Sequence, residues 1–240
     1  MRVSHVFTSR NAYFKFMVCL LILLAIILIE EINVGTGFVT VMNYYGKEVL
    51  IPIRVKREVK IPIAIVVVVQ DNSNKEQYQQ AQDTVSCYAT HHHYPYHFVI
   101  VADNSTLGRI CPQKDFMFQR HCVVAHMMSL WDEQWLLFID ADMAIINPNH
   151  LIEEYVPSDP DVHIVFYNRI FNHEVMAGSY LTRNSNYSYN FLLHWSNYEF
   201  KLPQSFHGTD NGAIHSAIIS YELPAKDVAR KNCEKFWSSA

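Results

Sequence analysis

The sequence is short of charge. Asp, Glu, Lys and Arg make up 18% of its 240 residues, against about 25% in an average globular chain. Half of the residues are apolar and the net charge is −4, which excludes both a disordered chain and a basic nucleic-acid binder. Glycine and proline are scarce, at seven and nine, so collagen-like and linker-rich designs are excluded too. The five cysteines contain no C-x-x-C pair, leaving nothing to build a zinc ribbon or a thioredoxin-like centre. The phosphate-loop pattern G-x-x-x-x-G-K, the dinucleotide pattern G-x-G-x-x-G, the nucleophile elbow G-x-S-x-G and the zinc motif H-E-x-x-H are all missing.

What is present begins with an uninterrupted apolar run, Phe16 to Ile29, extendable to Tyr13 if Lys15 reaches toward lipid head groups. As a helix, residues 13–29 span about 25 Å, close to the thickness of an endoplasmic reticulum bilayer. Arg2, Arg10 and Lys15 come before the run, and Glu30 and Glu31 follow it. The positive-inside rule therefore puts residues 1–12 in the cytoplasm and the bulk of the chain in the lumen. A cleaved signal peptide and a buried core helix compete with this reading. The A-x-A cleavage pattern is missing and the run is apolar all round, which favours an uncleaved signal anchor. Outside the run, Cys87, Cys111, Cys122 and Cys233 allow two disulfides in any of three pairings. The sequons at Asn104 and Asn186 suit a secretory protein but arise readily by chance.

Residues 30–60 read as a luminal stem ending in the charged stretch Arg54–Lys60. From Ile61 the pattern alternates. Ile61–Val69 is a continuous β-branched run, expected as a strand buried on both faces. A helix starting near Ser73 or Asn74 follows, with Tyr78, Ala81, Val85 and Ala89 on one face. His97–Val101 reads as a second strand, Asp115–Leu130 as a helix with Phe118, Cys122, Ala125 and Ser129 inward, Trp135–Ile139 as a third strand and Val162–Tyr167 as a fourth. Strands and helices in this order predict an α/β domain with a mixed, mainly parallel sheet and helices on both faces. Ligands of such sheets bind beyond the carboxyl ends of the strands, so the loops after Val69, Val101 and Ile139 are the places to look.

The third strand ends in Asp140-Ala141-Asp142. Alternation along an extended chain would point both carboxylates to one side, where they could share a hard divalent cation and leave positions for water and phosphate. The competing reading makes both acids turn residues, with Asn147-Pro148 opening the next helix. Two acids directly after five apolar residues are costly to bury without a cation or donors, which favours the metal reading. His91-His92-His93 sits beside Pro95 and reads as a solvated link between helix and strand. Trp195 and Tyr198, three apart, read as core packing.

The run LLFIDADMAIINPNHLIEEY resembles the Asp-x-Asp segment of nucleotide-sugar glycosyltransferases of the GT-A fold. Met176–Phe200, followed by Phe206–His215, resembles an uncharacterised glycosyltransferase-like family known mostly from nematodes, which is similar in turn to galactosyltransferases and mannosyltransferases that extend fungal and plant polysaccharides. The resemblance covers about Ile61 to Tyr221 with its three motifs in order. It implies a type II membrane enzyme of the Golgi or endoplasmic reticulum that moves a hexose from a UDP- or GDP-sugar to a glycan hydroxyl, with Mn²⁺ or another divalent cation. The alternative is an inactive relative that binds glycan or a partner enzyme.

Residue by residue, the resemblance implies that Asp140 and Asp142 hold the metal and the nucleotide diphosphate. It places Gly178, Ser179, Arg183 and Asn184 near the donor sugar, and Asp210, with Asn211, beside the reacting carbon as base or orienting group. Without it, Gly178 reads as a turn, Arg183 as a surface ion-pairing residue and Asp210 as a turn carboxylate. The domain, residues 61–240, is expected to be short at its C-terminal end. Relatives place a further metal-binding His near a late His-Gly segment, and no His follows His215.

Overall fold

The computed structural model describes residues 34–42, 48–56, 61–73, 75–172, 174–204 and 208–239. The expected anchor at 13–29 lies outside these residues. Among the described residues no helix is long and apolar enough to cross a membrane. The chain divides into two units, Met1–Lys60 and Ile61–Ala240. In the first, within the segment read as stem, β1 (Val34–Met42) and β2 (Glu48–Lys56) pair antiparallel.

The second unit is built on a five-stranded sheet of β3 (Ile63–Val69), β4 (Tyr96–Ile100), β5 (Trp135–Ile139), β6 (Ile164–Asn168) and β7 (Val175–Arg183), in the order β4-β3-β5-β7-β6. β3 runs parallel to both β4 and β5, whereas β7 is antiparallel to β5 and β6. The run starting at Ile61 behaves as its composition predicts. Ile63, Ile65, Val67 and Val69 enter one core and Val66 and Val68 the other, so the strand is covered on both sides.

One core is closed by α1 (Lys75–His92) through Val85, Tyr88 and Ala89. The opposite face is closed by α3 (Phe116–Met128), α4 (Asn186–Ser196) and α5 (Asp210–Glu222). Each fully buried Val, Ile or Leu in these layers stabilises the fold by about 1.5–3 kcal/mol. A short α2 (Ser105–Ile110), whose first N–H groups donate to the Asn104 side chain, and a terminal α6 (Val228–Ser239) complete the unit.

Four expectations change. The fourth strand begins two residues later, at Ile164, and lies antiparallel at the sheet edge. A fifth strand, β7, runs through the segment that had read as a glycine turn. In α3 it is Met128 that turns inward, while Ser129 is exposed. His91 and His92 form the last turn of α1, and His93, at φ 60°, ends that helix in the left-handed conformation. Trp195 is fully buried and Tyr198 nearly so, as core residues. Among the three possible pairings the structure contains Cys111–Cys122, which ties the loop after α2 to α3; Cys87 and Cys233 are free.

Candidate functional site

β5 delivers the Asp140 segment to the carboxyl end of the parallel part of the sheet. The chain does not stay extended there. The Met143 amide donates to the Asp140 carbonyl at 3.1 Å, so residues 140–143 turn. Strand alternation is therefore not what aligns the two acids, yet both line a cavity of about 250 Å³ together with Val69, Asp71, Tyr78 and Arg120. The Asp140 amide donates to the Gly178 carbonyl at 2.8 Å. This pairing continues the β5–β7 ladder one step past Ile139–Ser179.

Gly178 explains how the Asp140 carboxylate fits against β7. A Cβ at Gly178 would lie 2.6 Å from Asp140 Oδ2 and 3.2 Å from Met143 Cε. The glycine is needed for close approach rather than for a turn. Gly178→Ala is expected to displace the Asp140 carboxylate with a small loss of stability and, if Asp140 ligates a cation as proposed below, to weaken Mn²⁺ binding at least tenfold. Mn²⁺ titration of the purified variant beside the parent checks this, and equal affinities would show that the contact is not needed.

Sequence reasoning missed Arg120 and His121. Both lie on α3, 5% and 0% exposed. Arg120 is ion-paired with Asp140 through Nη1, and its Nη2 donates to Asp210 Oδ2 at 2.7 Å. His121 Nε2 meets the same Asp210 oxygen at 2.8 Å, its Nδ1 lies 3.2 Å from the Tyr180 hydroxyl, and its ring stacks on Trp195 at 3.5 Å between centroids. A signal was available in the sequence. An Arg-His pair inside an otherwise apolar helix, FMFQRHCVVAHMM, must find partners or pay heavily in desolvation.

Burial pushes the Asp140 carboxyl up to about 6. Arg120 opposes the shift, and the like charges of Asp142 and Asp210 add to it. Burial also acts to raise Asp210, but the hydrogen bond from His121 and the Arg120 guanidinium outweigh it and hold Asp210 at about 2. Burial lowers His121 to about 4 against the pull of Asp210. The imidazole is thus neutral at pH 7. Its Nε2–H donates to Asp210, and Nδ1 accepts from Tyr180, whose phenol burial keeps protonated.

This has a consequence for stability. His121 titrates near 4 in the folded chain and near 6.5 when unfolded, so between those values the unfolded chain binds more protons. Its contribution to stability is lost as pH falls from about 6.5 to 4, by up to about 1.4 kcal/mol per pH unit. The stability difference between parent and His121→Gln, from urea unfolding at each pH, is expected to shift toward the variant over that range. A constant difference would contradict a buried neutral imidazole.

The other expected site residues divide into two groups. Asp210 and Asn211 open α5 beneath the site. Asp210 is 1% exposed, its Oδ1 taken by the Asn211 amide and its Oδ2 by Arg120 and His121. Asn211 accepts from the Ala177 amide and donates to Glu174, pinning β7. Ser179 lies on β7 opposite Ile139, close to Asp140. Arg183 and Asn184 are not brought there. Arg183 pairs with Trp135 at the start of β5, about 13 Å along the strand from Ser179, and its guanidinium donates to the Pro160 carbonyl. Asn184 donates to the carbonyls of Met128, Trp131 and Glu133, clamping the loop between α3 and β5. Because β7 is antiparallel to β5, it carries Gly178 beside the carboxyl end of β5 and Arg183 beside the amino end, so the two ends of the Gly-x-x-x-x-Arg-Asn segment fall at opposite ends of the strands.

The chemistry of the donors suits a hard divalent cation. Asp140 and Asp142 carry like charge close enough to raise the Asp140 pKa, a repulsion that a cation would relieve. Asp71 lines the same cavity, but among the described residues the one trio of His, Cys, Asp or Glu with ligand atoms within 4.8 Å of one another is Cys111, Cys122 and His126, which holds a disulfide. Two carboxylates alone suit an ion that completes its shell with water and phosphate.

A solved structure, "crystal structure of a glycosyltransferase involved in the glycosylation of the major capsid of PBCV-1", is similar to this chain with a TM-score of 0.51 and 12% identity, covering 68% of this chain and 79% of that one. At that identity the likeness is one of fold, and the class it defines is an α/β, GT-A-like domain with a mixed five-stranded sheet. The chain itself belongs to the family described as protein of unknown function, DUF273, which matches residues 85–240. No curated protein matches it.

Proposed function

We propose that the protein is a metal-dependent glycosyltransferase of the secretory pathway, anchored by residues 13–29, that moves a hexose from a UDP- or GDP-sugar to a glycan hydroxyl. The observation that carries this reading is the Asp140–Asp142 pair, set on a cavity at the carboxyl end of β5, with Arg120 in the same wall. In the reaction the bond from the anomeric carbon to the diphosphate oxygen breaks and the diphosphate leaves with the electron pair. The acceptor oxygen bonds to that carbon and its proton is released.

Asp140 and Asp142 would hold Mn²⁺, which when bound neutralises charge on the leaving diphosphate. Arg120, whose three guanidinium nitrogens already donate to Met117, Asp140 and Asp210, would add positive charge to the cavity wall beside the phosphates. Asp210, held at about 2, is a poor proton acceptor, so its role in this reading is to position Arg120, with His121 and Tyr180 behind it. Gly178 supports Asp140, while Arg183 and Asn184 hold the opposite end of β5 and β7.

One observation favours a second reading, an inactive member that binds nucleotide or glycan: Arg120 is already ion-paired with Asp140, a proposed metal ligand. Full-length protein incubated with Mn²⁺ and a panel of UDP- and GDP-hexoses separates the two. Mn²⁺-dependent release of nucleoside diphosphate is expected. Nucleotide binding with no turnover across the panel would support the inactive reading instead.

A further inference from the structure

A second cavity, of about 460 Å³, lies on the α1 side of the sheet. Its lining includes Leu137, Val165 and Leu181 from β5, β6 and β7, and Ile146 and Leu151 from the segment that follows Asp142. That segment is fixed in place by α1. The Ile145 amide donates to Thr84 Oγ1 at 2.9 Å, the Tyr88 hydroxyl donates to the His150 carbonyl at 2.8 Å, and Gln82 Nε2 donates to the Ala141 carbonyl at 2.5 Å. The cleft is therefore preformed, and its volume falls within the range of ligand pockets.

The lining contains no Asp, Glu, Lys or Arg. A nucleoside diphosphate would find no Lys or Arg there to meet its charge, and a bare oligosaccharide would bury most of its hydroxyls against apolar carbon, with Asn147, His150, Ser179 and the tyrosine hydroxyls as its few polar partners. An alkyl or isoprenoid chain suits such walls. The cleft also adjoins the Asp140 cavity. Ala141 and Asp142 line one and Ala144 and Ile145 the other, with Met143 between them against Gly178, while Ser179 lines the cleft. Ile146, 90% exposed, and Tyr155, 63% exposed, leave apolar surface open to an entering chain.

We infer that this cleft takes the apolar chain of the acceptor, so that the acceptor is a glycan or sugar carried on an alkyl or isoprenoid tail. The inference rests on the transferase reading for its link to Asp142, and on the cleft alone for the class of ligand. The tail lies over β5, β6 and β7, and the sugar end faces the two carboxylates.

The test uses full-length protein in lipid nanodiscs and an octyl glucoside carrying a diazirine on its alkyl chain. After photolysis the labelled peptides are mapped, and UDP and GDP binding with Mn²⁺ is measured on the same sample. Labelling is expected within residues 144–155 and 164–168. Excess octyl glucoside should compete it away, and methyl glucoside at the same concentration should not. Leu151→Trp, which fills the cleft, and Ile146→Asp, at an exposed position, should each reduce it at least fivefold with nucleotide binding retained. Labelling confined to residues 13–29, equal competition by methyl glucoside, or labelling unchanged in both variants would overturn the inference. Cleft labelling in a chain that binds neither nucleotide would keep the apolar site and overturn the transferase reading instead.

Discussion

An Asp210→Ala protein is expected to lose about 3–5 kcal/mol of folding stability, out of the roughly 5–15 kcal/mol that holds an ordinary domain together. Asp210 is 1% exposed and takes both Arg120 Nη2 and His121 Nε2 on a single oxygen. Removing it leaves a buried guanidinium with one anionic partner and an imidazole N–H with none. Deleting one member of a buried pair costs more than the pair contributes, because the remaining charge stays desolvated. Asp210→Asn, which retains shape and an acceptor oxygen, should lose less. The double variant Arg120→Met, Asp210→Leu removes both charges and should recover part of the loss, the remainder reflecting an Asp140 carboxyl left without Arg120 and a His121 N–H left without an acceptor. Urea unfolding of the variants reads these differences. A loss below about 1 kcal/mol in Asp210→Ala would mean that the buried ions do not hold α3 to α5.

The second large effect is expected on binding, with stability little changed. Asp142 is exposed at the cavity mouth, so Asp142→Asn should fold as the parent does. Replacing a group that only orients a metal ligand already costs about 10–100-fold in affinity, so loss of a ligand carboxylate should weaken Mn²⁺-dependent nucleotide binding by about 100-fold or more. Asp140→Asn should show the same defect plus a loss of stability, because Arg120 then keeps only Asp210. Both are read by isothermal titration at matched Mn²⁺ concentration. Parallel behaviour of the two variants in binding but not in stability is the expected signature.

The parts of this arrangement that were legible in the sequence are those set by local pattern. β3 and β5 are β-branched or apolar runs that must be buried on both faces, and two carboxylates directly after such a run stand out as costly. α1 and α3 were legible for the same reason, through their inward-facing positions. What was not legible depends on pairing across the sheet. Nothing in VMAGSYLTR marks it as a strand antiparallel to β5, and its glycine invites a turn; only the ladder reveals that Gly178 faces Asp140 while Arg183 lies at the far end of the strand. The Arg120–His121–Asp210 cluster joins residues 90 positions apart, from α3 and α5, so no spacing rule could have found it. The resemblance brought Asp210 to notice, and the structure supplied the partners that make it a buried counterion.

The most direct test of the central claim is calorimetric titration of the full-length protein with UDP and with GDP, in Mn²⁺ and again in EDTA. The account predicts saturable binding of at least one nucleoside diphosphate in Mn²⁺, abolished by EDTA and by Asp142→Asn. Binding that persists undiminished in EDTA or in the Asp142→Asn protein would contradict a metal-bridged diphosphate at Asp140 and Asp142.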